Sequence, residues 1–179
     1  LDPRPLDMNA LIQDMVGLLG TTVGGSIRLD TSLDASPRRE AWLAMADPTQ
    51  IELAVVNLVL NARDAMQGSG TIRIATGNVT LGPPGHPEEP PAGEYVAITI
   101  RDTGTGMTPE VRARAFEPFF TTKDVGQGSG LGLSQVLGFV QQSGGGLRLE
   151  TAPGQGTAIH LYLPRAQARP AAPAFAPAE

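Results

Sequence analysis

The chain has 179 residues, 41% of them hydrophobic and 17% charged, which suits one domain with a buried core and excludes wholesale disorder. A net charge of -5 and a pI near 5.0 argue against nucleic acid as the main partner, because a phosphate backbone needs a positive surface. With no cysteine there is no disulfide framework, thiolate nucleophile or cysteine-ligated zinc, and the two histidines, His86 and His160, lie too far apart in sequence to suggest a metal site.

The start, Leu1-Asp-Pro-Arg-Pro, has neither an initiator methionine nor the layout of a signal peptide. No apolar run approaches the roughly 20 residues that cross a bilayer. The sequence therefore reads as a cytoplasmic domain cut from a longer chain, with no direct membrane contact of its own. A helix is expected from about Asp7 to Leu19, where Leu11, Ile12, Met15, Leu18 and Leu19 recur at helical spacing. Strand-like stretches follow at Ile27 to Leu33 and Ala41 to Ala46. Asp47-Pro48 opens a second helix as an N-cap followed by proline at the first helical position, and this helix runs to about Met66.

Alternation predicts strands at Thr71 to Thr80 and Tyr95 to Arg101, separated by a proline-rich surface loop, Gly82-Pro-Pro-Gly-His-Pro-Glu-Glu-Pro-Pro. A short helix is expected at Pro109 to Arg114, then a glycine-rich connection and a helix from about Leu131 to Gln142. Leu147 to Thr151 and Thr157 to Leu163 flank Pro153-Gly-Gln-Gly156 and form a hairpin. The order of elements predicts a two-layer α+β sandwich, a mixed and mostly antiparallel sheet with helices on one face. The domain is placed at residues 1–164, and the Ala/Pro-rich residues 165–179 are read as a disordered tail or linker.

Three features carry chemistry. The Pro48 to Met66 helix is apolar on most of its surface, yet Gln50, Asn57, Asn61 and Asp64 form a narrow polar stripe along it. Buried amides without partners cost about 1–3 kcal/mol, so the stripe calls for a core network, ordered water, or a polar ligand with a hydrated cation. Next, Asp102-Thr-Gly104-Thr-Gly106-Met107 follows a strand directly. An ionised Asp only accepts hydrogen bonds and so suits an exocyclic amine such as that of adenine, though the same pattern also marks plain turns. Third, Phe116 to Leu133 is a glycine-rich segment running into a helix. It contains Lys123, the single lysine against 12 arginines, and offers backbone N–H groups and a point charge to phosphates. The alternative for that segment is a mobile linker with an exposed lysine. Neither a P-loop nor a dinucleotide fingerprint is present.

In this fixed order the motifs resemble those of the catalytic, ATP-binding domain of bacterial sensor histidine kinases, within the wider group that includes gyrase, the Hsp90 chaperones and MutL. Asn57-Leu-Val-Leu-Asn61-Ala-Arg-Asp64-Ala resembles the N box, Asp102 to Met107 the first glycine box, and Phe116-Glu-Pro-Phe119-Phe120 the F box. Gly128-Ser-Gly130-Leu-Gly132-Leu resembles the second glycine box, and Gly154-Gln-Gly156-Thr157 the last glycine motif. The resemblance covers roughly Asp47 to Pro164.

It implies a Bergerat-type fold that holds ATP and Mg2+. By that resemblance Asn61 coordinates the magnesium and is catalytic, and Asn57 supports it. Asp102 recognises the adenine amine with Thr157 as a helper, and Gly104, Gly106 and Met107 lie against the base. Phe120, Thr121, Thr122 and Lys123, with Gly128, Ser129, Gly130, Leu131, Gly132 and Leu133, form the lid and its phosphate-binding hinge, Lys123 being the second catalytic residue. Asp64 belongs to the nucleotide site with a charge opposite to the basic residue that many family members carry there. ATP-hydrolysing relatives place a glutamate base where this chain has Asn57, and an amide accepts no proton at neutral pH.

The expected activity is therefore donation of the γ-phosphoryl group to a histidine on a separate dimerisation and phosphoacceptor domain, with a response regulator receiver domain as indirect partner. Neither His86 nor His160 sits in a context that suits an acceptor. The alternatives are a non-catalytic nucleotide-sensing module and a serine kinase of the anti-sigma type.

Overall fold

The structure is a computed structural model that describes residues 2–33, 41–67, 69–118 and 132–166. The chain starts with a short strand, β1 (Arg4–Leu6), and helix α1 (Met8–Val23). Asp7 caps α1 by accepting the Ala10 N–H at 3.2 Å. The helix buries Met8, Ile12, Met15, Leu19 and Val23 and continues past the expected end at Leu19. It stops at Gly24, whose φ of +88° favours glycine.

Strands β2 (Ile27–Ser32), β4 (Gly70–Leu81), β5 (Gly93–Asp102), β6 (Gly146–Thr151) and β7 (Thr157–Pro164) form the main sheet, while β3 (Ala44–Ala46) lies outside it. The strand order is β2-β4-β5-β7-β6, parallel only between β2 and β4. Helices α2 (Pro48–Ala65) and α4 (Gly132–Gln142) join α1 over one face, and α3 (Pro109–Arg114) lies beyond β5. This is the two-layer α+β arrangement expected from the order of elements. The core lies between the layers, where Ile72, Ile98 and Leu161 of the sheet meet Ile12, Ile51 and Leu58 of the helices. Each such side chain contributes about 1.5–3 kcal/mol through burial.

The expected strand at Ala41 to Ala46 shortens to β3 and pairs antiparallel with β1, not with the main sheet. Three residues containing a proline show no alternation, so β1 left no sequence signature. The packed chain also continues two residues past Pro164. The Ala166 N–H donates to the Leu43 carbonyl at 2.7 Å, and the Arg165 guanidinium lies 4.2 Å from the Trp42 ring centroid.

The opposite face of the sheet carries Tyr95, Ala97 and Tyr162, as the two-residue period requires. Beside them His160 Nδ1 lies 2.7 Å from Thr99 Oγ1 and Nε2 lies 3.1 Å from Glu150 Oε1. The hydrogen bond with His160 holds the Glu150 carboxyl below its usual range. The proline-rich segment covers part of this face. Residues 82–87 are exposed as expected, but Glu88 and Pro90 are buried, so the segment is packed at its second half.

Helix α2 is fixed at its start by Asp47, whose carboxylate accepts the N–H groups of Thr49 at 2.9 Å and of Asp2 at 2.8 Å. These bonds, led by the one from Asp2, hold its carboxyl below the usual range. Replacing Asp47 with Ala is expected to lower the melting temperature by about 2–4 °C, the usual effect of a lost cap in a domain of this size. Thermal denaturation followed by circular dichroism measures this, and an unchanged midpoint would remove the capping role.

Candidate functional site

The site is assembled where the C-terminal half of α2 meets the end of β5. Asn57 and Asn61 are one turn apart and both half-buried. Their amides have no hydrogen-bond partner among the described residues. The polar stripe is thus not a satisfied core network. Nor is α2 buried all round, as its composition suggested: Leu53 is 54% exposed, and only the Ile51, Val55, Leu58 and Ala62 face is closed. Asn61 faces the start of α4, where a Cβ built on Gly132 would lie 3.3 Å from its Nδ2.

One turn further, Arg63 Nε and Nη2 both donate to Asp64 Oδ1 at 3.2 Å, and Nη1 reaches the Thr22 carbonyl at 3.3 Å. The reversed charge at Asp64 therefore has its countercharge in the adjacent residue. Arg63 in turn ties the end of α2 to the end of α1.

Asp102 is the last residue of β5 and is 7% exposed. Its Oδ1 accepts the N–H of Gly104 at 2.8 Å and of Thr157 at 3.2 Å. Oδ2 has no partner among the described residues. Burial pushes its carboxyl above the ordinary range, and the two backbone bonds oppose this in part.

The loop that follows is held by backbone contacts. Thr105 N–H donates to the Ala65 carbonyl at 3.2 Å, and Gly154 N–H donates to the Thr105 carbonyl at 2.7 Å. A Cβ on Gly104 would lie 2.6 Å from the Ala65 oxygen, and one on Gly106, with φ of +71°, 1.9 Å from the Ala152 oxygen. The close approach these glycines permit is to neighbouring protein carbonyls. Gly156 likewise lets the turn between β6 and β7 lie against Asp102, where a Cβ would meet the Asp102 carbonyl at 2.2 Å.

Sequence reasoning missed Thr151. Its Oγ1 accepts the Met107 N–H at 2.9 Å, donates to the Gly156 carbonyl at 3.1 Å and lies 2.9 Å from Thr157 Oγ1. A hydroxyl has one proton, so Thr157 is the donor in the last contact and its own oxygen keeps acceptor capacity. The expected hairpin already sets Thr151 opposite Thr157; what the sequence does not show is its bond to Met107, 44 positions away.

The structure thus brings Asn57, Asn61, Asp64, Asp102, Gly104, Gly106, Met107, Gly132 and Thr157 to the α2–β5 junction and its flanks, and Leu133 packs on the core. Phe120, Thr121, Thr122, Lys123, Gly128, Ser129, Gly130 and Leu131 lie outside the described residues. A cavity of about 160 Å3 lined by Pro83, Glu89, Arg148 and Tyr162 lies on the far side of the sheet and is separate from this site. Among the described residues no three His, Asp or Glu side chains come together. A cation at Asn61 would therefore depend on amide oxygens and on oxygens of the ligand it accompanies.

The histidine kinase-, DNA gyrase B- and HSP90-like ATPase family matches residues 46–167, and the chain belongs to this family. It is 41% identical over 167 residues to sensor kinase CckA of Brucella abortus, covering 92% of this chain and 17% of that protein. It is 31% identical over 163 residues to the signal transduction histidine-protein kinase AtoS of Escherichia coli, covering 90% of this chain and 24% of that one. The chain therefore spans less than a quarter of the length of either relative. The mycobacterial sensor histidine kinase MprB superposes with a TM-score of 0.69 at 26% identity, over 92% of this chain and 98% of that one. The catalytic domain of histidine kinase ThkA, at 24% identity, shares the fold with a TM-score of 0.71, over 92% of this chain and 97% of that one.

The raised carboxyl of Asp102 has a sign that can be tested. A carboxyl whose folded value lies above its unfolded value favours folding when protonated, and that contribution is lost as pH rises through the folded value. Asp102→Asn mimics the neutral form. It is expected to raise the melting temperature of the nucleotide-free domain at pH 7, by roughly 2–4 °C per kcal/mol of relieved desolvation. The gain should shrink toward pH 4, near the ordinary carboxylate value of about 3.9. Scanning calorimetry of both proteins across that range checks it.

Proposed function

We propose that this chain binds Mg-ATP and donates the γ-phosphoryl group to a histidine on a separate dimerisation and phosphoacceptor domain, as the catalytic half of a sensor histidine kinase. The observation that carries this reading is the junction of one buried carboxylate oxygen and two half-buried amides, none of which has a hydrogen-bond partner among the described residues. Asp102 Oδ2 accepts from the adenine amine, and Thr157 Oγ1 accepts from the same edge, directly or through water. Asn61 and Asn57 then face the phosphates from α2, where an amide oxygen fits a hard, oxygen-preferring cation such as Mg2+. When bound, that ion would neutralise charge on the phosphates. The N–H groups at the start of α4, from Gly132 and Leu133, suit a phosphate oxygen. Thr121, Thr122, Lys123 and the Gly128 to Leu131 segment are assigned to the same phosphates, with Phe120 preceding them.

The acid–base groups of α2 do not supply a free base at the Asn57 position, since Asp64 is engaged by Arg63. Asn57 accepts no proton, and Glu52 projects about 180° round the helix from Asn61. The acceptor is accordingly a nucleophile that arrives from outside. A histidine ring nitrogen bonds to the γ-phosphorus while the bond between that phosphorus and the bridging oxygen of the β-phosphate breaks, and ADP leaves with the electron pair. His160 is engaged by Thr99 and Glu150 on the far face of the sheet. A response regulator receiver domain would take the phosphoryl group afterwards. Residues 1–164 form the catalytic domain in this proposal, with Arg165 and Ala166 packed against it.

Calorimetric titration with ADP and a non-hydrolysable ATP analogue, with and without Mg2+, tests the reading. Magnesium-dependent affinity of roughly micromolar to sub-millimolar is expected, and no heat at millimolar nucleotide would overturn it. Transfer to an added histidine-bearing hairpin domain separates a kinase from a nucleotide sensor, which binds without transferring. Asn61→Ala should reduce the magnesium-dependent gain in affinity more than about tenfold with the fold intact. Asp102→Asn should weaken ATP far more than GTP, and equal losses would remove the adenine assignment.

A further inference from the structure

Strand pairing sets three polar side chains in one row across the sheet. Asp102 of β5 is paired with Thr157 of β7, and Thr157 is paired in turn with Thr151 of β6, so the three share a face. The row is continuous in hydrogen bonds. Asp102 Oδ1 accepts the Thr157 N–H at 3.2 Å, and the Thr157 hydroxyl lies 2.9 Å from that of Thr151. Thr157 is buried and Thr151 is half-buried, so these groups answer to one another before they answer to solvent.

Backbone neighbours assign each hydroxyl proton in this row. The Met107 N–H can only donate, and it donates to Thr151 Oγ1 at 2.9 Å. The Gly156 carbonyl can only accept, and it accepts from the same hydroxyl at 3.1 Å. The one proton of Thr151 is thereby committed, so its contact with Thr157 is filled by the Thr157 proton. Thr157 Oγ1 then has only lone pairs to offer elsewhere. Asp102 is in the same condition, since Oδ1 takes the N–H groups of Gly104 and Thr157 and Oδ2 can only accept when ionised. A ligand at the end of this row meets two acceptors and no side-chain donor from it.

We propose that Thr151 is a positioning residue for base specificity: by holding the Thr157 proton it makes Thr157 an acceptor toward the base, which selects a purine with an amine at position 6 over one with an oxygen there. This rests on the nucleotide reading above. Thr151 touches no ligand in this assignment and acts through Thr157. An amine donates to both acceptors, whereas a 6-oxo group faces lone pairs on both, and a buried edge of unmatched polar groups rejects such an analogue. A Thr157 hydroxyl released from Thr151 is free to rotate and donate to that oxygen.

The test compares the affinities of Mg-ADP and Mg-inosine diphosphate by calorimetry, alongside melting temperatures. The two ligands differ in the 6-substituent and the proton on the neighbouring ring nitrogen. The readout is their ratio, because Thr151 also holds Met107 and Gly156 and a loosened loop would weaken both alike. The wild-type domain is expected to prefer Mg-ADP. Thr151→Val keeps the branched shape, removes the hydroxyl and is expected to shrink that preference at least about threefold, while Thr151→Ser keeps it. In a Thr157→Val background, Thr151→Val should change the ratio no further, as for two residues acting as one unit. Should Thr151→Val fail to fold, Thr151→Cys decides by the same ratio, since a thiol donates and accepts only weakly. An unchanged ratio in a folded variant overturns the proposal and leaves the nucleotide reading standing. Equal losses for both ligands overturn it too, as does a Thr151→Ser variant that loses the preference as far as Thr151→Val. If the wild-type domain binds neither ligand, the nucleotide reading falls and this proposal falls with it.

Discussion

Asp102 Oδ1 takes two backbone N–H groups while the residue is 7% exposed, and the rest of the site is arranged around that burial. A carboxylate leaves water only where hydrogen bonds replace its hydration. One donor comes from its own loop and one from β7, so the loop and the last strand must both turn inward over the same oxygen. That inward turn forces backbone against backbone, and the approach distances at Gly104, Gly106 and Gly156 leave no volume for a side chain. Gly104, Gly106 and Gly156 are therefore first a packing requirement of the backbone around Asp102, where they approach Ala65, Ala152 and Asp102 itself. Its second oxygen has no partner among the described residues, and this incomplete satisfaction is what the proposed reading assigns to a ligand.

The division of chemistry between α2 and β5 follows from side-chain type. The carboxylate at the strand end can only accept from a donor, while the amides on the helix offer oxygens without basicity. An amide can orient and ligate, but it cannot remove a proton from water. In the proposed reading the same substitution of chemistry that denies hydrolysis leaves a phosphoryl group available to an external acceptor. Arg63 fits this division. Its guanidinium is committed to Asp64 and to the end of α1, so it braces the helix that carries the amides.

Local chemistry was legible in the sequence wherever neighbours along the chain decide the structure. Asp47-Pro48 specifies the start of α2 through its own two-residue cap, and Pro109 to Arg114 is a helix with its cap at Thr108. Asn57, Asn61 and Asp102 were legible because period and strand-end position fix where they point. What escaped depends on contacts far apart in sequence. β1 finds β3 across some forty residues, Thr151 acquires its role through Met107, 44 positions away, and Glu88 is buried by Arg112 on a helix 24 positions away. Composition also overstated the closure of α2, since apolar residues on its outer side, such as Leu53, stay exposed.

The two faces of the sheet have separate duties, and the strand period keeps them separate. On β7, Thr157, Ile159 and Leu161 point to the helices and the site, while His160 and Tyr162 point away. A one-residue slip of β7 would put a histidine in the core and remove the second donor from Asp102. The pairing of Asp102 with Thr157 and of Ile98 with Leu161 is therefore set by the hydrophobic core and by the site at once. The outer face then provides footing for the proline-rich segment, through Tyr95 of β5 and the edge of β6. Both anchors of the segment thus sit on strands whose register the core has already fixed, and that is why a ten-residue loop rich in proline can hold a buried glutamate in one place.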